Sequence, residues 1–99
     1  MSVEYISKIT FRSRLSREQV IAVMNERMPA FSRLAGLIQK YYVEASEPDT
    51  YSGIYCWESR EAMEAYLKMP LKESIATAYK TENEPEIEVM SVVSTLRPQ

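Results

Sequence analysis

Apolar and polar residues alternate with the period of a β-strand in four stretches of the chain. The first is residues 3–11, where every second position is apolar or small. Residues 36–44 and 51–57 are crowded with aromatic and β-branched side chains and flank a polar turn, which predicts a β-hairpin. Residues 87–95 are rich in valine and predict a last strand.

A helical period separates the first strand from the hairpin. Ser16 is a predicted N-cap, and Gln19 stands where it can complete a capping box. Pro29 lacks an amide hydrogen, so we expect it to bend or interrupt this helix near Met28, with Gly36 as the C-terminal stop. The predicted core stripe contains Val20, Met24, Arg27 or Met28, Phe31 and Leu34.

A second helical segment follows the hairpin. Ser59 is a predicted N-cap for residues 60–67, Pro70 ends that helix, and residues 71–79 continue as a further helical piece. The predicted buried side of residues 60–67 contains Ala62, Met63, Tyr66 and Leu67. The resulting order β-α-β-β-α-β predicts an α+β, ferredoxin-like fold with a four-stranded antiparallel sheet.

Both faces of the second hairpin strand are apolar. Gly53, Tyr55 and Trp57 fall on one face, while Ile54 and Cys56 fall on the other. Right-handed crossovers place both helical segments on the same side of the sheet, so the opposite side needs another cover. A second copy of the chain is the simplest cover, and we therefore expect a homodimer.

Length and charge narrow the class of protein. The chain has 99 residues, of which 45% are hydrophobic, so we expect one domain over residues 1–99. The net charge of −2 gives no positive surface for nucleic acid or for an anionic membrane. No stretch has the length and apolarity of a membrane span or a signal peptide, which predicts a cytoplasmic location.

The residue types in the chain exclude several kinds of metal chemistry. It contains no histidine, which excludes a histidine-ligated haem, histidine-based zinc hydrolysis and a Ser-His-Asp triad. Cys56 is the only cysteine, so an iron–sulfur cluster is excluded as well. A buried, inert thiol is the expected state of Cys56. The sequence therefore predicts no metal site.

Three segments carry a resemblance to a known family. Residues 36–42 (GLIQKYY), 52–62 (SGIYCWESREA) and 65–67 (AYL) are similar to the signature of the YdhR-type mono-oxygenases. These belong with the antibiotic-biosynthesis mono-oxygenase-like proteins, whose ferredoxin-like subunits form a dimeric α/β barrel. The resemblance covers nearly the whole chain and implies this same dimeric barrel, with a pocket in each subunit.

The resemblance also implies a type of chemistry. Related mono-oxygenases use neither metal nor flavin, because a deprotonated polycyclic phenol or hydroquinone itself passes an electron to oxygen. The protein then supplies an apolar slot, donors for an oxyanion and a base. The haem-degrading branch depends on a histidine that this chain lacks. The aromatic-polyketide branch has an asparagine where this chain has Gly53, so its catalytic pattern is not transferred whole.

Lys40, Tyr42 and Tyr55 are the predicted catalytic residues. A hairpin register with Tyr42 opposite Tyr55 would put Lys40 beside Trp57 in an aromatic slot. A lysine in such a slot has a lowered pKa and can accept a proton or hold a phenolate, whereas most strand lysines reach out to water. The two tyrosines can donate to an oxyanion or simply pack.

Five further residues are predicted to bind substrate. Each also has a plain structural interpretation: core or dimer packing for the aromatic residues, flexible apolar filling for the methionine, and a solvent-reaching head group for the arginine. These residues are Trp57, Gly53, Tyr66, Met63 and Arg27.

Together these observations predict a cofactor-independent mono-oxygenase acting on a small aromatic molecule of the phenol or hydroquinone type. One alternative is a non-catalytic module that binds a hydrophobic metabolite in the same slot. Another is a cofactor-free isomerase or lyase that uses Lys40 or a tyrosine as its base.

Overall fold

The computed structural model describes residues 2–97, which form four strands and four helices. In chain order these are β1 (Tyr5–Arg12), α1 (Arg17–Ser32), β2 (Leu37–Glu44), β3 (Thr50–Trp57), α2 (Arg60–Leu67), α3 (Pro70–Glu73), α4 (Ile75–Ala78) and β4 (Glu86–Ser91). The sheet has the order β2-β3-β1-β4, and every neighbouring pair is antiparallel. The predicted α+β, ferredoxin-like topology is thus confirmed, with the second helical segment divided into three short helices.

Both predicted helix starts are confirmed. The Ser16 hydroxyl accepts a hydrogen bond from the Gln19 amide at 3.2 Å, and the Gln19 side chain accepts one from the Ser16 amide at 2.9 Å. Before α2, the Ser59 hydroxyl accepts a hydrogen bond from the Ala62 amide at 3.1 Å. These contacts satisfy amides that have no partner inside a helix, which is why both helices begin where they do.

The predicted ends of two elements are wrong. Helix α1 runs without interruption through Pro29 and ends at Ser32, well before Gly36. Gly36 instead has a φ of 81° at the entry to β2, where a Cβ would collide with the Ala62 side chain. Strand β4 ends at Ser91, opposite Tyr5 at the start of β1, and one further backbone hydrogen bond joins the Val92 amide to the Glu4 carbonyl at 2.9 Å.

The hairpin register differs from the predicted one by two residues. Lys40 pairs with Tyr55, and Leu37 rather than Lys40 pairs with Trp57. The predicted turn itself is nearly right: the Ala45 amide donates to the Thr50 carbonyl at 2.9 Å, and the loop contains residues 45–49 where residues 45–50 were expected. An offset of two keeps each side chain on its face, so Lys40 still shares the face of Tyr55.

The helices cover one face of the sheet, and the buried core lies there. It contains Ile9, Phe11, Val20, Phe31, Tyr51, Tyr55, Trp57, Met63, Tyr66, Ile75 and Tyr79. On the opposite face Tyr41 is 54% exposed, and Val43 and Met90 are also exposed. Strand β4 is exposed along its whole length. No helix within residues 2–97 has the length and apolarity that a membrane span requires.

Candidate functional site

Lys40 lies inside a cage of three aromatic rings. Its side chain points from β2 toward the helices because Lys40 pairs with inward-facing Tyr55. The Nζ atom is 3.3 Å from the centroid of the Phe31 ring, 4.4 Å from that of Tyr42 and 4.5 Å from that of Tyr55. This lysine therefore does not reach out to water, as most lysines on strands do.

The cage changes the proton affinity of Lys40. Burial, with a smaller contribution from the positive charge of Arg27, lowers the pKa of Lys40 to about 7. The faces of the surrounding rings attract a cation and oppose this lowering. A lysine with such a pKa is present in both protonation states near neutral pH, so it can accept a proton and then hold an anion.

Arg27 turns its guanidinium group inward, so the expectation that its head group reaches solvent is wrong. Nη1 donates to the Ser74 hydroxyl at 3.1 Å, and Nη2 donates to the Leu71 carbonyl at 3.3 Å. The guanidinium carbon lies 5.6 Å from the centroid of Phe31 and 5.7 Å from that of Tyr79. The third guanidinium nitrogen, Nε, is buried and has no hydrogen-bond partner among the described residues.

Neither of these two cations has an acidic partner within residues 2–97. The salt bridges in this part of the chain are Arg12–Glu82, Arg17–Glu44, Arg60–Glu64 and Lys72–Glu73. Arg27 and Lys40 therefore form a pair of positive charges on the covered face of the sheet that no carboxylate balances.

The tyrosines beside Lys40 are neutral hydrogen-bonding groups. The hydroxyls of Tyr55 and Tyr66 are 3.2 Å apart. Burial raises the pKa of Tyr55 far above its ordinary value, raises that of Tyr66 to about 12, and also raises that of Tyr42. At neutral pH these hydroxyls can donate to an oxyanion, but they are not bases.

Gly53 makes room for the caged lysine. A Cβ atom at this position would lie 3.2 Å from Lys40 Cε and 3.0 Å from Tyr55 Cε1. These distances are shorter than an ordinary van der Waals contact, so any side chain here would push against Lys40 or the Tyr55 ring.

Two spaces adjoin the lysine. The inner one is a cavity of about 10 Å³ lined by Ile9, Phe11, Met24, Arg27, Phe31, Lys40, Tyr42, Ser52, Gly53, Tyr55, Ile75 and Tyr79. The outer one is an open cleft of about 470 Å³ lined by Met28, Phe31, Ser32, Leu37, Ile38, Gln39, Lys40 and Tyr42. Phe31, Lys40 and Tyr42 line both spaces and separate them.

Not all of the predicted site residues meet at this place. The structure brings Lys40, Tyr42, Tyr55, Gly53 and Arg27 together around the inner cavity. The remaining three, Trp57, Tyr66 and Met63, are buried toward the other end of the covered face. Trp57 and Tyr66 line a separate pocket of about 150 Å³, and Met63 packs in the core.

Trp57 has the features of a packed core residue. It is 0% exposed, and its Nε1–H donates to the Ser7 hydroxyl at 3.0 Å. Its ring is stacked at 7° to that of Tyr55, with centroids 6.1 Å apart. Because its only polar group is satisfied inside the protein, Trp57 contributes apolar surface rather than a free donor.

Two aromatic residues that contact the cations of the site were not among the predicted binding residues. Phe31, the nearest ring to Lys40, lies one helical turn after Arg27, and the helical period had assigned both to the core stripe. Tyr79 contacts the cavity only because α4 folds back over the sheet, where its ring stacks on Phe11 at 4.5 Å. The sequence gives no local signal for that contact.

The described residues include no cluster of three or more histidine, cysteine, aspartate or glutamate side chains that could hold a metal ion.

Residues 6–97 match the family model described as "Putative mono-oxygenase ydhR". The chain belongs to this family. No curated sequence matches it significantly.

Solved structures show the same fold as this family member at low sequence identity. SnoaB from Streptomyces nogalater, described as a cofactor-independent oxygenase, is 19% identical, with a TM-score of 0.74 over 98% of this chain and 100% of its own. The monooxygenase from the gene ActVA-Orf6 of Streptomyces coelicolor, solved with the ligand nanaomycin D, is 13% identical, with a TM-score of 0.72 over 98% and 94%. The NE2512 protein of Nitrosomonas europaea is 14% identical, with a TM-score of 0.76 over 98% and 96%.

Proposed function

We propose that this protein is a cofactor-independent mono-oxygenase acting on a small aromatic molecule of the phenol or hydroquinone type. The observation that carries the proposal is Lys40, a lysine held among three aromatic rings at the inner end of a cleft of about 470 Å³. A cleft of this volume is typical of a small-molecule site. The described cofactor-independent oxygenase with the same fold supports this choice of chemistry.

Lys40 is the proposed base. In its neutral form, Nζ takes the proton of the phenolic hydroxyl, which leaves a phenolate beside an ammonium group. The phenolate ring is rich in electrons and passes one to O₂. For an anthrone-type substrate, recombination and loss of water convert the ring CH₂ into C=O, so one oxygen atom enters the product and the other leaves as water. All electrons come from the substrate, and the protein needs no cofactor for this reaction.

The other residues have supporting roles in the proposal. The hydroxyls of Tyr42 and Tyr55 donate to the developing oxyanion, and Gly53 keeps Lys40 and Tyr55 in place. Tyr66 orients the Tyr55 hydroxyl through their 3.2 Å contact.

Trp57 and Met63 supply the packed layer behind the site, and they act on substrate only by keeping Tyr55 and Tyr66 in position. Arg27 contributes positive charge. A cytoplasmic location stays a prediction of the sequence.

We further propose that a second copy of the chain covers the open face of the sheet. Tyr41 is 54% exposed there, and Val43 and Met90 are exposed beside half-buried Ile6 and Ile54. Such a surface is more apolar than a soluble monomer usually exposes. Light scattering should give the mass of a dimer, and Tyr41→Glu should give a monomer; a monomeric unsubstituted protein would contradict the proposal.

Oxygen uptake tests the catalytic proposal. The protein is incubated with a hydroquinone or an anthrone-type phenol, and uptake above the uncatalysed rate is expected. Lys40→Met should lower that rate by about 10²-fold or more, since proton transfer by a positioned group contributes on this order. Lys68→Met is the matched control, because Lys68 is exposed and lies outside the site.

Other outcomes would identify the alternatives. Saturable binding without oxygen consumption would indicate a binding module for a hydrophobic metabolite. Product formation under argon would indicate an isomerase or lyase.

A further inference from the structure

Arg27 has an unused hydrogen-bond donor inside the protein. Two of its guanidinium nitrogens are bound by Ser74 and Leu71, which fixes the plane of the group. No acceptor among residues 2–97 has hydrogen-bond geometry to its buried Nε, although the guanidinium group also interacts with the Tyr79 hydroxyl: burial raises the pKa of Tyr79, and the guanidinium group opposes this rise with a smaller lowering effect. Buried donors without a partner are rare in folded proteins, and an unexplained one indicates a missing acceptor.

The charge around this donor is positive. Arg27 Cζ and Lys40 Nζ both lie within 6 Å of the centroid of the Phe31 ring, at 5.6 Å and 3.3 Å. Neither side chain forms a salt bridge in the described part of the chain. The residues that line the inner cavity include no carboxylate. A neutral acceptor such as water would satisfy the donor, but an anion would also balance the positive charge and is therefore the favoured acceptor at this place.

The size of the two spaces limits what that anion can be. The inner cavity of about 10 Å³ has room for about one water molecule, so an oxygen atom fits there but an aromatic ring does not. The cleft of about 470 Å³ has room for a ring system. Because Lys40 and Phe31 line both spaces, the polar substituent of a ring in the cleft would lie next to the inner cavity that Arg27 also lines.

We propose that Arg27 Nε and the Lys40 ammonium form a subsite for one anionic oxygen, phenolate or carboxylate, carried by an aromatic ring that lies in the cleft. This inference rests on the proposed aromatic ligand, and it adds a selection by charge. The guanidinium group supplies a second set of N–H donors, so the subsite persists when Lys40 is neutral. Arg27 binds the ligand and fixes its orientation, while Lys40 exchanges the proton.

Binding of three matched probes tests the subsite without any turnover. These are 2-naphthoate, 2-naphthol and the neutral 2-methoxynaphthalene, measured by calorimetry at a pH of about 6, where Lys40 is mostly protonated. We expect 2-naphthoate or 2-naphthol to bind at least about tenfold more tightly than the neutral probe. A shift of the bound 2-naphthol absorption band to that of the naphtholate identifies phenolate as the anion, and preferential binding of 2-naphthoate identifies carboxylate.

Variants then assign the preference to its residues. Arg27→Gln should remove most of the preference for the anionic probe, with the Lys40 ammonium retaining the rest, and should leave the affinity for 2-methoxynaphthalene within about threefold. Arg17→Gln, on the same helix but in an exposed ion pair with Glu44, should leave the preference unchanged. Lys40→Met keeps Arg27 and should reduce the preference only in part, so it tests the subsite even if Arg27→Gln does not fold.

Two results would contradict the proposed subsite. One is an equal affinity for all three probes, and the other is a preference for the anionic probe that survives in the double variant Lys40→Met with Arg27→Gln. Failure of the subsite is distinguishable from failure of the mono-oxygenase proposal. Charge-selective binding without oxygen uptake would retain the subsite and reject the oxygenase. Oxygen uptake without a preference for the anionic probe would retain the oxygenase and reject the subsite.

Discussion

The aromatic layer beneath the helices has two ends that differ in how their polar groups are satisfied. At one end Trp57 donates to Ser7 at 3.0 Å and packs with no exposed surface. At the other end Lys40 lies among rings, and Arg27 keeps a buried donor without a partner in the described chain. Both ends are built from large aromatic residues, so residue type alone does not separate them.

The difference indicates which end is suited to a ligand. A buried polar group that has found its partner stabilises the fold, whereas one that lacks a partner costs stability, by about 1–3 kcal/mol. Two buried cations without a carboxylate are costlier still. Such an arrangement is typical of a site in which a ligand supplies the missing partner. We therefore assign Trp57 to the core and Arg27 with Lys40 to the site.

The largest expected effect on stability is at the Trp57 end. Trp57→Ala removes a fully buried ring and leaves the Ser7 hydroxyl without its donor, so the free energy of unfolding should fall by about 3–5 kcal/mol. Urea denaturation measures this loss. Lys40→Met, at the other end, should leave the stability unchanged or raise it, because a buried charge becomes an apolar side chain. Equal losses in both variants would remove the contrast between the ends.

Gly53→Ala should have an intermediate effect. The new methyl group would lie 3.2 Å from Lys40 Cε and 3.0 Å from Tyr55 Cε1, so these side chains have to shift by a few tenths of an ångström. Overpacking of this kind costs about 1–3 kcal/mol. We expect the shift to loosen the cage and to raise the pKa of Lys40 toward its ordinary value, which NMR titration of the lysine side chain measures. An unchanged pKa together with unchanged stability would contradict the assigned role of Gly53.

The pH dependence of stability sharpens the contrast further. The pKa of Lys40 is lowered to about 7 in the folded state from its ordinary value of 10.5, so protonation favours unfolding. The free energy of unfolding is therefore highest above about pH 10.5, where Lys40 is neutral in both the folded and the unfolded state. It falls as the pH is lowered from 10.5 toward 7, because the unfolded chain then binds a proton that folded Lys40 does not. The stability of the unsubstituted protein relative to Lys40→Met should rise between these limits. A flat difference across this range would mean that Lys40 is solvated.

The rate of oxygen uptake should depend on the protonation state of Lys40. Oxygen uptake with a phenol should increase as the pH rises through about 7, because only neutral Lys40 accepts the phenolic proton. The increase should level off once Lys40 is fully neutral. A rate that is independent of pH across this window would remove Lys40 as the base.

The smallest effect on stability is expected for a surface ion pair that lies outside both ends of the aromatic layer. Arg17 and Glu44 form an ion pair with an Nε–Oε1 distance of 3.2 Å, and their side chains are 64% and 49% exposed. Arg17→Gln should change the free energy of unfolding by less than about 0.5 kcal/mol, because solvent screens exposed pairs. A loss comparable to that of Gly53→Ala would show that surface charge contributes more than we assume.

Local sequence signals predicted most of the fold but only part of the site. The caps at Ser16 and Ser59 followed from local spacing, and the face shared by Tyr55 and Lys40 followed from strand periodicity together with an expected register of the right parity. The hairpin register did not, because it depends on a loop of residues 45–49 whose Asp49 has a φ of 58°. A two-residue error in register conserves the faces, which is why the catalytic candidates still met.

The inward position of Arg27 could not be predicted. Its hydrogen-bond partners Ser74 and Leu71 are 47 and 44 residues further along the chain, on helices that no local pattern aligns with α1. The core stripe left the identity of the inward residue open between Arg27 and Met28, and solvation favoured an exposed arginine. The inward position of Arg27 depends on where the segment with Leu71 and Ser74 lies relative to α1.

One titration tests directly which end of the layer holds a ligand. The side chain of Lys40 and the indole N–H of Trp57, the only tryptophan in the chain, both give assignable NMR signals. On addition of 2-naphthol, we predict that the Lys40 signals shift saturably while the Trp57 indole signal stays in place. A saturable shift of the indole signal with Lys40 unchanged would contradict the account.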